Sequence, residues 1–548
     1  MMKKKIICLA LAVVMAVPFL MFSGCRHKVD NSENTIEIFA YKAGYGVDWL
    51  YAMEKVFEDR TDYEIEIKVQ NSADVVESMV KTSSTTVDLF VVGEVWDRYI
   101  ELGPKAVQGY EYCLEPLDDV YGYTPAGENQ TIGDKMWDNY RDFYKMAVVE
   151  DGAKAEHYYA MPWASGLTAL MYNASLFEKA GLTHEPRTTD ELLEYCATLK
   201  QANILPFMYS AKVGYWEYLF YQWWVQYNTL KGYDNFFNGK VSDNAIPDPV
   251  ASMGIFDQEG IYTSMDIIQK LLDPAKNYTY NLAEDADYGD AQALFLRGTD
   301  TDGAMMPAAD WIENEMKMMA GGGLEIGDVL PMRTPINSAI SDKLSYWAES
   351  SSYSEAQLTD EKHTQYEKNL RDLVDYADGV STQLPTYGTE EDVKEDLRIV
   401  SEARSVRYSI GLSHSCAIPV YATAKTGAKE FLKFMASDEG LKIYLENTNG
   451  ANLPYDFDIK SWSGYSGLSD FAKKKYELYE GAQWFPVAAK YPSAYLGGLQ
   501  PVYKSSTFEV ALGSRDPQVK KTAAELVQAT IDHYKPIMKN VLDYADLI

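Results

Sequence analysis

From residue 35 onward, stretches of period two give way to stretches of helical period, and back again. Thr35-Ile36-Glu37-Ile38-Phe39-Ala40 alternates as a strand does. Trp49, Leu50, Met53, Val56 and Phe57 then recur on one helical face. Tyr63-Glu64-Ile65-Glu66-Ile67-Lys68-Val69 alternates again, and Val75, Val76, Met79 and Val80 mark a short helix. Val87-Asp88-Leu89-Phe90-Val91-Val92 reads as a buried strand ending at Gly93. Strand, helix, strand, helix, strand predicts a parallel sheet with helices on both faces. Ligands of such sheets sit beyond the carboxyl ends of the strands. The loops at 41–45 and 93–98 are therefore candidate site loops.

A second block begins at Tyr158. Tyr159-Ala160-Met161-Pro162-Trp163 leads through Gly166 to Leu167-Thr168-Ala169-Leu170-Met171-Tyr172-Asn173. Thr188-Thr189-Asp190-Glu191 reads as a capping box, opening a helix with Leu192, Leu193, Cys196 and Leu199 on one side. Further helices are marked by Phe431, Leu432 and Met435, and by Leu441, Tyr444 and Leu445 after a Ser437 cap. Residues 338–405 differ: they are rich in Ser, Asp and Glu, with an amphipathic helix through Tyr366, Leu370 and Leu373. They read as a helical insertion, expected on the first lobe near the mouth of a cleft.

The N-terminus has another logic. Lys3, Lys4 and Lys5 precede an apolar run at 6–22, then Ser23, Gly24 and Cys25. That is the layout of a secretory signal. Small residues before a cysteine resemble the bacterial lipobox, with Phe22 standing where that motif has Leu. The expectation is a signal peptide at 1–24, lipidation at Cys25 and a polar tether at 25–34. An uncleaved membrane anchor is the alternative, since the run reaches the roughly 17-residue lower limit for a span.

The chain has 548 residues and a formal charge of −31, which excludes a nucleic-acid binder, because that role needs a basic face. It also excludes attachment to anionic lipid through basic residues. Its length exceeds what one core supports, so two lobes are expected. Only Cys113, Cys196 and Cys416 remain beyond the N-terminal segment, too few for a disulfide framework. Aromatic residues reach 13%, with 42 Tyr and 11 Trp. A surplus of rings with a flat apolar face and a polar edge suits a cleft for sugars.

Motifs for chemistry are missing. None of the six histidines pairs with another at metal-ligand spacing. Gly464-Tyr465-Ser466-Gly467 lacks the spacing of a nucleophile elbow, and Gly321-Gly322-Gly323 is not followed by Lys-Ser/Thr. Asp300-Thr301-Asp302-Gly303 reads as a turn, lacking the later acidic positions of a calcium loop. No cofactor, metal or catalytic residue is expected.

From Tyr158 to Pro206 the sequence resembles the family 1 bacterial extracellular solute-binding proteins, the maltose-binding type. Tyr-Ala-Met-Pro-Trp, Ala169-Leu170-Met171-Tyr172-Asn173, Leu176-Phe177-Glu178-Lys179-Ala180-Gly181-Leu182 and Pro186 carry the likeness. Ala293-Leu294-Phe295-Leu296-Arg297-Gly298, Ala304-Met305 and Trp311 extend it, as does the run from Ala428 to Phe434. The resemblance implies a type II periplasmic-binding-protein-like α/β fold, with two lobes joined by hinge crossings. It places the first lobe at 35–163 and 310–415, and the second at 164–309 and 416–548. It also implies a monomer on the outer face of the cytoplasmic membrane that delivers a carbohydrate to the permease subunits of an ABC importer. Candidate ligand contacts by this resemblance are Lys42 and Tyr45, then Glu94, Trp96, Asp97 and Arg98. Trp163, Tyr215, Trp216, Asp310, Trp311 and Trp484 complete the set. For Trp216 and the other rings of its helix, a place in the core is the alternative. A membrane-anchored carbohydrate-active enzyme and a rigid surface adhesin are the alternative functions.

Overall fold

The computed structural model describes residues 33–82, 85–93, 112–150, 153–212, 215–318, 323–348, 360–409, 414–486, 499–502, 508–545 and 547. The expected signal peptide at 1–24, Cys25, and Glu94, Trp96, Asp97 and Arg98 lie outside these residues. Among the described residues, no helix is long and apolar enough to cross a membrane.

The opening pattern forms the expected unit. β1 (Thr35–Tyr41), α1 (Asp48–Glu58), β2 (Glu64–Gln70), α2 (Val76–Thr82) and β3 (Leu89–Gly93) follow in order, with β1 parallel to both β2 and β3. β1 lies between β2 and β3 and is buried, so even Glu37 is inside; its carboxylate takes Lys68 at 2.7 Å and the Thr86 hydroxyl at 2.6 Å. A hairpin of β4 (Lys145–Glu150) and β5 (Ala153–Tyr158) leads to β6 (Met161–Pro162) in the first sheet.

The chain crosses at 163–167 into a second lobe. Its sheet is antiparallel, β7 (Thr168–Asn173) lying between β8 (Met305–Ala309) and β9 (Val329–Met332). α3 (Thr189–Gln201) begins at Thr188, whose hydroxyl accepts the Glu191 N–H at 3.1 Å. The reciprocal bond differs from a capping box: Glu191 accepts the Arg187 N–H at 2.7 Å. α4 (Trp216–Phe237) is buried on almost every face of its first half and kinks at Thr229 (φ 65°). α5 (Tyr288–Arg297) ends at Gly298, and α6 (Ile312–Lys317) follows β8 directly.

The insertion sits on this second lobe, not on the first. Its helices α7 (Asp360–Ala377) and α8 (Glu390–Ser405) form a cluster with Ile336, Ile340 and Leu344. Arg187 pairs with Asp375 at 2.6 Å, Arg371 with Glu194 at 2.9 Å, and the Tyr227 hydroxyl donates to Asp342 Oδ2 at 2.8 Å. These two ion pairs and the hydrogen bond to lobe-two residues override the expectation drawn from its sequence position.

The expected lobe boundaries shift for the same reason. The chain leaves the second lobe after β10 (Val406–Ser409), and β11 (His414–Ala417) inserts between β3 and β6, antiparallel to both. α9 (Lys425–Met435) and α10 (Asp438–Asn447) then pack into the first core through Phe431, Leu432 and Leu445. Residues 414–468 thus belong to the first lobe, and 310–409 to the second. α11 (Asp470–Tyr479) touches both cores, and β12 (Gln483–Pro486) returns to pair with β10. Helix α12 (Ala523–Tyr534) completes the second core.

Candidate functional site

The carboxyl end of β1 faces the second lobe. Its loop carries Tyr45, which is 3% exposed although it lies in a turn. The Tyr45 hydroxyl donates to Ser165 O at 2.8 Å and to Asp310 Oδ1 at 3.0 Å. Beside it, Gly44 lies so close to Trp311 that a Cβ would stand 2.9 Å from the ring. Only glycine permits that approach.

Asp310 is a hub. Oδ1 also accepts the Leu167 N–H at 3.2 Å, from the first crossing. Oδ2 accepts the Asn452 amide and faces the Lys475 ammonium at 3.7 Å. Both charged groups are buried, at 0% and 2% side-chain exposure. Burial pushes the Asp310 carboxyl up to about 6, with Lys475, Tyr45 and the Leu167 amide holding it back. Burial likewise lowers the Lys475 ammonium, against the pull of Asp310 and Glu313. The crossings are laced further: Ser165 N donates to Asn452 O at 3.1 Å and Trp163 N to His414 O at 3.1 Å. Tyr140 bonds both Ser165 Oγ (2.7 Å) and Ser409 Oγ (2.8 Å). Asp310 and Trp311 were expected at a crossing of their own. They instead follow β8 within the second lobe, and the chain returns to the first lobe between β10 and β11.

Four candidates come together here: Tyr45, Trp163, Asp310 and Trp311, with His414 among them. Tyr45 meets Trp163 and Trp311 edge-on at 6.2 Å each, and Trp163 meets His414 at 5.2 Å. Trp163 is nearly sealed, stacked on Trp49 at 5.1 Å. Trp311 is half-buried, packed against both lobe cores, and its indole reaches the Tyr215 hydroxyl. Lys42 is exposed on the same loop.

Two candidates lie elsewhere. Trp216 is fully buried, its ring 5.1 Å from Phe207 and 5.9 Å from Tyr209, which is a core position. Trp484 stacks on Trp137 at 5.7 Å and lies 4.3 Å from Tyr479. These three rings line a cavity of about 800 Å³ that Asn452, the Asp310 partner, also lines.

Three residues at the junction escaped the sequence reading: Tyr288, Gln292 and Glu315. Glu315 lies one helical turn after Trp311, which was the available signal. Burial raises its carboxyl, while the Gln292 amide and Tyr288 hydroxyl beside it hold it back. Tyr288 is raised chiefly by Glu315, with burial, Asp287 and Tyr41 of the first lobe adding. Among the described residues, no group of His, Cys, Asp or Glu could hold a metal ion.

Solved structures share this two-lobed arrangement. Maltose-bound MalE3 from T. maritima superposes with a TM-score of 0.54 at 15% identity, over 92% of this chain and 99% of that one. The GacH receptor of Streptomyces glaucescens, solved unliganded and with acarbose, gives 0.53 at 14%, over 92% and 98%. A chitin oligosaccharide binding protein gives 0.53 at 14%, over 94% and 100%. No curated protein sequence matches the chain. The family model for bacterial extracellular solute-binding proteins matches residues 43–317, half of the chain. Two α/β lobes, laced crossings and that match lead to one assignment: the chain belongs to the bacterial extracellular solute-binding proteins.

Proposed function

We propose that this protein is the lipid-anchored solute-binding subunit of an ABC importer, and that it captures a carbohydrate by hinged closure of its lobes. The observation that carries the reading is the half-buried Trp311 ring of the second lobe, set against the Gly44–Tyr45 turn of the first. An aromatic face between two bodies suits the apolar side of a pyranose. Lys42, Tyr215 and the loop residues Glu94, Trp96, Asp97 and Arg98 add polar partners for its hydroxyls. The bound sugars of the structural relatives, maltose and acarbose, point the same way. Trp163 and Asp310 hold the junction in shape beneath this site. The work is capture and a change of shape, not catalysis, and an oligosaccharide is the expected ligand.

Isothermal calorimetry of the chain lacking residues 1–24 against maltotriose, raffinose, chitobiose and xylotriose tests the reading. Binding of at least one, with a shift in small-angle scattering on saturation, is the expected result. Binding of a peptide with no response to any saccharide overturns it. Mass spectrometry of membrane-extracted protein tests the anchor: an acylated N-terminus at Cys25 is expected, and an intact residue 1–24 segment refutes it.

A further inference from the structure

We infer that Glu315 and Gln292 form a hydroxyl-reading subsite in the second-lobe half of the cleft, and that it takes adjacent hydroxyls of a neutral sugar. The inference rests on the proposed function and adds residues to it. Gln292 is fully buried on α5, yet neither atom of its amide has a hydrogen-bond partner. Glu315 Oε2 is shielded from solvent and also has none. The two groups lie close enough for the amide to ease the carboxylate's burial, but not in hydrogen-bonding geometry. Buried polar atoms are rarely left unsatisfied, and each that is calls for a partner or a role.

Position supplies that partner. Glu315 stands one turn below Trp311, and Tyr288 sits at the rim, within electrostatic reach of Tyr41 at the carboxyl end of β1. Trp311, Tyr288, Glu315, Tyr215 and Tyr41 are all part-exposed. A carboxylate oxygen accepts two hydroxyl protons, while an amide offers both a donor and an acceptor. Vicinal hydroxyls of a pyranose stacked on Trp311 present that set. A hydrogen bond to a charged group in a desolvated pocket is worth about tenfold or more in affinity.

The test uses the chain lacking residues 1–24 and calorimetry with maltotriose, raffinose, chitobiose and xylotriose. For the saccharide that binds, Glu315→Gln and Gln292→Ala should each weaken binding at least about tenfold, and Tyr288→Phe by a smaller factor. Melting temperatures should match the parent. Tyr288 lies at the rim, so its variant keeps a folded protein available if Gln292→Ala does not fold. If the parent binds a saccharide and Glu315→Gln and Tyr288→Phe bind it as tightly, the subsite is wrong while the function stands. If the parent binds none of the four, both readings fall.

Discussion

The Tyr45 hydroxyl donates to Asp310 Oδ1 at 3.0 Å, joining residues 265 apart in sequence and on different lobes. Burial and the Asp310 charge raise the phenol well above its ordinary value, so it stays a donor at every physiological pH. Tyr45→Phe removes that donor and leaves Asp310 with Leu167, Asn452 and Lys475. A hydrogen bond to a charged group contributes about 1.5–3 kcal/mol. Urea denaturation should show a loss of that order. An unchanged midpoint would mean that the bond is made only in passing.

Asp310 also gives the molecule a pH dependence. The folded carboxyl titrates at about 6, and in the unfolded chain near ~3.9. Between these values the folded chain holds the proton and the unfolded chain does not. The contribution is therefore complete below about pH 4 and is lost as pH rises through about 6. The gap corresponds to at most roughly 3 kcal/mol. Comparing the parent with Asp310→Asn/Lys475→Met at pH 4.5 and 7 isolates it, since other carboxylates act equally in both. The parent should lose ground to the variant as pH rises, and a constant difference would reject the assignment.

Trp311→Ala should weaken saccharide binding by at least about tenfold, roughly 1.4 kcal/mol, through lost stacking and apolar burial. The ring is half-buried between lobes, so melting temperature should move little. A loss of several kcal/mol in stability with normal affinity would instead make Trp311 part of the core.

Asp378 ties the insertion to the second lobe, pairing with Arg333 and Arg404 at 2.8 Å each. Burial raises its carboxyl, but the two guanidiniums more than offset this and leave it below the ordinary value. Its contribution is present above the unfolded value of about 4 and disappears as pH falls below it. Asp378→Ala strands the buried Arg404 and should cost about 3 kcal/mol at neutral pH. The cost should shrink in acid, and a pH-independent effect would contradict the ion-pair account.

Much of the fold is local and was readable in the residues. β1, β2 and β3 announce themselves by period two, α1 by period 3.6, and α3 by its Thr188 cap, because each depends on neighbours a few positions away. The family resemblance pointed to Tyr45 and Trp311, which the fold sets edge to edge at the junction. Which lobe a segment joins is a different matter. His414-Ser415-Cys416-Ala417 reads as a strand, but nothing local says that it pairs with Val91 and Met161 rather than with β10, eight residues earlier. The insertion shows the same limit: its amphipathic face needs a partner, and the partner proved to be Arg187, Tyr227 and Glu194. Trp216 and Trp311 are alike as residues, yet one is sealed in the core and the other half-open at the junction. Gln292 and Glu315 look like ordinary surface positions until α5 and α6 are set side by side. Periodicity records which side of a helix or strand is apolar, whereas long-range packing decides what that side meets and which buried polar atoms are left without partners.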